Sequence, residues 1–150
     1  MDENSVYGAA LLEAYRLESK VAVNPIVVLC DNTMKLVGDH LKFYAEGFAP
    51  QLRDVLKGQD GRYFINYLME CIIDGIDKQY LDTKSLILHK QQIEKALKNY
   101  ASISAVFSKF AWLAAYHNYF CELISRFPEY NDTMKISSEF FSIQIQMIQE

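Results

Sequence analysis

The dipeptide Asn24-Pro25 limits what this chain can fold into more than any other pair of residues. A proline fixes φ, has no amide to donate, and pushes the residue before it out of the helical region, so a helix arriving from the N-terminal side stops there. On that side Ala10, Ala14, Leu17 and Val21 recur at helical spacing, Leu11 and Leu12 widen the stripe, and Glu13, Arg16 and Lys20 share another face. The pattern predicts a helix from about Tyr7 to Val23, N-capped by Asn4 or Ser5. On the other side Ile26 to Leu29 is a β-branched apolar run that predicts a short strand buried on both faces. A helix leading straight into such a strand belongs to an α/β or α+β sheet, so partner strands must lie elsewhere.

One pair of partners is visible. Asp54 to Lys57 and Arg62 to Asn66 flank the stretch GQDG, whose Gly58, Asp60 and Gly61 carry hairpin turn chemistry. From Leu68 onward the pattern is helical with little interruption. A short segment runs to about Asp74. A long helix runs from Asp82 to about Tyr100, with Leu86, Ile93, Ala96, Leu97 and Tyr100 on its apolar side. A second runs from Ser104 to Phe127 with Val106, Phe107, Phe110, Leu113, Phe120 and Ile124, closed by Pro128. Phe141, Ile143 and Ile145 alternate in the tail, which fits a strand or a helix. The expectation is one domain over residues 1–150, α+β and mainly helical, with a small sheet of one buried strand plus a hairpin and long C-terminal helices.

Composition narrows the function classes. The chain has 150 residues, 51% of them hydrophobic, with ten tyrosines and nine phenylalanines, enough to bury a core. Lys and Arg number 15 against 19 Asp and Glu, for a formal charge of -4, and the basic residues are scattered singly, which argues against a nucleic-acid surface. Cys30, Cys71 and Cys121 are widely spaced, with no CxxC pair and no nearby histidine cluster, so they read as reduced core thiols of a cytoplasmic protein. The opening MDENS has no apolar leader, and no window approaches the roughly 18 apolar residues of a membrane span.

No complete catalytic constellation is visible. His40, His89 and His117 stand far apart, outside any HExxH or Cys/His spacing, so no metal site is expected, and Walker A, GxGxxG and GxSxG motifs are absent. His117, in an aromatic helix, reads as a hydrogen-bonded core histidine. Arg16 admits two readings. One is a solvated helix arginine paired with Glu13 three residues earlier. The other is an arginine held on a rigid helix to meet phosphate charge as it develops in a transition state.

The stretch GAALLEAYRLESKVAVNPIVVL resembles the helix-strand segment in the second half of class III nucleotidyl cyclase domains, with Gly8, Leu11, Ala14, Arg16, Leu17, Glu18, Ala22 and Ile26 to Leu29 in register. It is more similar to the bacterial anti-phage pyrimidine cyclases and their relatives, which also resemble the chain at DGRYFINYL, at His89 to Tyr100 and at KFAWLAAYHN. The resemblance implies the C-terminal half of a cyclase-like domain, with Arg16 on the position of the transition-state arginine. The chain departs from the pattern at Leu12, where class III enzymes place a ribose-orienting asparagine, and at Ala9 and Ile26.

The family's two metal-binding aspartates lie upstream of the matched glycine, and only seven residues precede Gly8. The resemblance therefore implies that this chain by itself binds neither cofactor nor metal. Mg or Mn would enter only with a complementary half, around a nucleoside triphosphate in the completed site, and the partner expected is a second copy or a cyclase-like protein. Three readings stand together: a split cyclase, an inactive helical module that pairs with a cyclase, and a protein whose aromatic helices bind something unrelated. No residue present selects the base.

Overall fold

The computed structural model of the chain describes residues 12–22, 24–137 and 146–147. Residues 12–16 are α-helical and pass without a break into a π-helical turn, Leu17–Val21, closed by a 2.7 Å bond from the Ala22 amide to the Leu17 carbonyl. Beyond Pro25 come α1 (Asp31–Leu41), a one-turn α2 (Gln51–Asp54), and the strands β1 (Val55–Lys57) and β2 (Tyr63–Ile65). A 3-10 turn, Tyr67–Cys71, leads to β3 (Ile72–Asp74) and β4 (Gln79–Leu81). Then follow the long helices α3 (Thr83–Asn99) and α4 (Ser104–Leu123), a 3-10 turn at Asp132–Met134, and β5 (Gln146–Met147). The protein is α+β and mainly helical, with two small antiparallel sheets ordered β2-β1-β5 and β3-β4.

The predicted hairpin forms where its turn chemistry put it. Val55 pairs with Ile65 and Lys57 with Tyr63 around the GQDG loop. Gly61 in that loop has φ of 78°, a left-handed conformation that a residue with a Cβ adopts only at a cost. Both long helices form. Asp82 caps α3 by accepting from the Ser85 amide at 3.1 Å and from its hydroxyl at 2.7 Å. A turn at residues 100–103 folds α4 back onto α3.

Four expectations need correction. The Ile26 to Leu29 run is not a strand buried on both faces: it makes one bridge, Val28 to Phe64, and Val27 is 60% exposed. The Leu29 amide donates to the Tyr63 carbonyl and the Ile65 amide to the Val27 carbonyl, so the run flanks β2 on the side away from β1. The segment to Asp74 is not helical beyond the 3-10 turn; Ile72 to Asp74 instead pairs with Gln79 to Leu81. Gly75 closes that second hairpin, and a Cβ there would meet the Lys78 carbonyl at 2.7 Å. The first helix ends at Val21 instead of Val23. Finally, α4 stops at Leu123, and isolated turns carry the chain on to Pro128. The predicted start at Tyr7, its cap, and the Phe141 to Ile145 alternation lie outside the described residues. The helix α1 had no forecast in the sequence.

The core is built around α4. This helix buries Ala111 to Ala114, Tyr116, His117, Phe120 and Cys121, more than one face of its cylinder, as a central helix does. Phe64 of β2 reaches it edge-on, with ring centroids 5.3 Å from Trp112 and 5.8 Å from Tyr116. Leu86, Ile93 and Ala96 of α3 close the other side. Among the described residues every buried apolar side chain lies between Ala49 and Ile136, and from the first part of the chain only Ile26 packs against the cluster. No helix among them is long and apolar enough to cross a membrane.

This distribution predicts two different responses to truncation. Leu86→Ala, at a fully buried site, should cost about 2–5 kcal/mol in urea unfolding. Phe48→Ala, at a ring 78% exposed, should stay within about 0.5 kcal/mol. Similar losses at the two positions would mean that the core extends across the segment before α2.

Candidate functional site

Arg16 lies on the last α-helical turn before the π-helical one, and its guanidinium forks onto Glu13, with Nε to Oε2 at 2.8 Å and Nη2 to Oε1 at 2.7 Å. Both side chains are about half exposed, at 52% and 42%. The pair holds the Glu13 carboxyl below and the Arg16 guanidinium above its ordinary range, chiefly through these hydrogen bonds. The plain ion-pair geometry expected from the three-residue spacing is therefore present.

What the spacing did not reveal is the setting. Arg16 lines a cleft of about 460 Å³ between the first helix, the Val28 to Cys30 run and the end of the β1-β2 loop, where Arg62 and Tyr63 stand. Asp31 and Asn32, at the start of α1, complete one wall. Cys30 stands just before that helix, its Sγ 3.2 Å from Thr33 Oγ1, and hydrogen bonding from Thr33 holds the thiol below its usual range. Arg62 is tied to Asp60 at 3.2 Å, leaving its side chain 38% exposed. Two guanidiniums thus border one polar cleft, and each is held by a carboxylate of its own chain.

A divalent cation does not fit these residues. Both Glu13 oxygens are taken by Arg16, and among the described residues no three His, Cys, Asp or Glu side chains converge. The chemistry available is anion recognition: a guanidinium can trade one pair of carboxylate oxygens for a pair of phosphate oxygens.

The structure brings together a second group, hidden in the sequence by a gap of 28 residues. His89 of α3 and His117 of α4 meet with Nδ1 to Nδ1 at 2.9 Å, Tyr67 Oη lies 3.0 Å from His89 Nε2, and His117 Nε2 lies 2.9 Å from the Met134 carbonyl. The carbonyl can only accept, so His117 Nε2 carries a proton and its Nδ1 must accept from His89 Nδ1. His89 Nε2 is then left to accept from the Tyr67 hydroxyl. Every polar atom in this chain of bonds is satisfied with both imidazoles neutral. Burial favours that state: it lowers the His89 pKa to about 4, helped by the nearness of His117, and lowers that of His117 as well. A metal does not fit between the rings, since two nitrogens each about 2.0–2.1 Å from a tetrahedral zinc ion would stand near 3.3 Å apart. His117 is the satisfied core histidine the sequence suggested, and its partner His89 was not foreseen.

No family model, no curated protein and no solved structure matches the chain. The assignments rest on its own residues. Two outcomes follow from the histidine pair. His117→Ala strands the Met134 carbonyl and the His89 Nδ1 proton in the core, and at roughly 1–3 kcal/mol for each stranded group it should be among the most destabilising single changes in chemical denaturation. Because the folded pKa of His89 lies below the ordinary value near 6.5, the unfolded chain takes up a proton that the folded one refuses. Stability is fully present above pH about 6.5 and should fall as the pH drops toward about 4. A melting temperature measured across that range should decline less steeply in His89→Gln, which removes the titrating group.

Proposed function

We propose that this chain is the arginine-bearing half of a nucleotidyl cyclase-like site, completed by a second chain that supplies the metal-binding carboxylates. The observation that carries this reading is the half-exposed Arg16 guanidinium, on a helix, lining a polar cleft that it shares with Arg62. In the reaction the 3′-oxygen of a nucleoside triphosphate bonds to the α-phosphorus while the bond to pyrophosphate breaks. Arg16 holds the charge that builds on the phosphate oxygens. Mg or Mn, held by the completing half, would activate the 3′-hydroxyl. The completing partner is a cyclase-like protein that carries those carboxylates, and the resemblance connects the cyclic nucleotide product with anti-phage signalling. Free Cys30, Cys71 and Cys121 fit a reducing, cytoplasmic setting.

A second reading has its own support. The two-pronged bond from Arg16 to Glu13 leaves the fork occupied, as it would be in a catalytically inactive module that only pairs with a cyclase. The two readings part at Glu13.

The chain alone should form no cyclic product from any of the four triphosphates with Mg or Mn. Mixed with a carboxylate-bearing half, it should turn over. Arg16→Ala should then cost on the order of a hundredfold in rate while leaving the melting temperature unchanged, and Arg16→Lys should rescue poorly because a point charge cannot reproduce the fork. Glu13→Gln should keep or raise the rate, since it frees the guanidinium. Full turnover by Arg16→Ala would remove the catalytic role, and a complex that binds but never turns over would leave the inactive module.

A further inference from the structure

The helix α1 presents a surface that its own chain does not use. None of its residues is buried. Thr33, Met34, Val37 and Leu41 lie half-buried on one arc, while Asp31, Lys35, Leu36, Asp39 and His40 stand exposed on the other. Leu36 is 70% exposed, and Phe43, in the turn just past the end of the helix, is 84% exposed. The charges along the helix alternate in sign: Asp31, Lys35, Asp39, then Lys42. Read from either end the order is complementary to itself, with its centre near Leu36 and Val37.

We propose that α1 is the contact surface for a second copy of this chain, joined antiparallel about a two-fold axis near Leu36. In that arrangement Lys35 faces the partner's Asp39 and Asp31 faces the partner's Lys42, and the two-fold axis makes each contact twice. The exposed Leu36 side chains meet beside the axis and bury against each other. A parallel pairing is disfavoured by the same pattern, because it sets Asp31 against the partner's Asp31 and Lys35 against the partner's Lys35. Lys35 makes no ion pair among the described residues, so its charge is available. Asp39 holds Lys42 of its own helix at 2.8 Å, on the exposed surface where that bond can be shared. The proposal stands apart from the cyclase reading, since of the residues that line the Arg16 cleft it uses only Asp31.

Charge exchange tests it by sedimentation equilibrium over a range of concentrations. The natural chain should dimerise, and more weakly at high salt. Lys35→Glu sets like charges across the axis and should weaken the dimer at least tenfold, and so should Asp39→Lys. Mixed together, the two single variants should form a heterodimer, because each now presents the sign the other lacks, and the double variant Lys35→Glu/Asp39→Lys should dimerise with itself again. Both positions are exposed, so circular dichroism should show unchanged helix content. A chain that stays monomeric at about 1 mM, where even weak association is visible, overturns the proposal. So does a dimer indifferent to both single substitutions, or a failure of the mixed variants to associate.

Discussion

Burying the Tyr116 hydroxyl is the requirement on which the rest of the structure depends. The ring is fully buried on α4, and its oxygen cannot be left unpaired there without a penalty of some kcal/mol. It accepts from the Leu68 amide at 3.1 Å and donates to Asn66 Oδ1 at 2.7 Å. Asn66 in turn donates from Nδ2 to the Arg53 carbonyl and from its amide to the Asp54 carbonyl. One phenol therefore ties the central helix to the exit of β2 and to the entry of β1. The sheet can pack Phe64 against Trp112 only in the register that these bonds allow.

A second polar thread leaves the same helix one residue later. His117 turns toward α3 and the Asp132–Met134 turn, where His89 and the Met134 carbonyl complete it, and Asn118 brackets the neighbouring Ile136 by accepting from its amide at 2.8 Å and donating to its carbonyl at 2.7 Å. Consecutive residues of one apolar helix thus anchor three different parts of the fold. Buried polar networks of this kind are costly unless complete, and here each member on the threads has a partner.

The first part of the chain follows a different economy. Among the described residues before Ala49 none is buried and only Ile26 packs against the core, while Leu12, Tyr15, Val27, Leu36, Phe43 and Phe48 stand largely in the open. What they build is a surface: the polar cleft at Arg16 and the exposed arc of α1. Stability resides in the C-terminal two thirds, which also supply Arg62 and Tyr63 to the cleft.

Much of this was legible in residue order because it depends on local chemistry. Gly58 to Gly61 made the hairpin, the apolar periods of α3 and α4 marked the two long helices, and Asn24-Pro25 bounded a first helix that ends at Val21. The ion pair between Glu13 and Arg16 also follows from a three-residue spacing. The errors share a cause: burial is a property of neighbours. Ile26 to Leu29 has the composition of an inner strand, yet it makes a single bridge beside β2, and among the described residues no strand pairs with its other side. Ile72 to Asp74 looks helical beside Leu68, yet the Gly75 turn gives it a partner strand. The meeting of His89 with His117, and of Arg16 with Arg62 across one cleft, required the long helices and the first hairpin to be placed in space. Spacing within one element determined which side chains share a face; only the packing of elements against one another decided which of those faces meet, because contacts between residues distant in sequence are set by the core that brings them together.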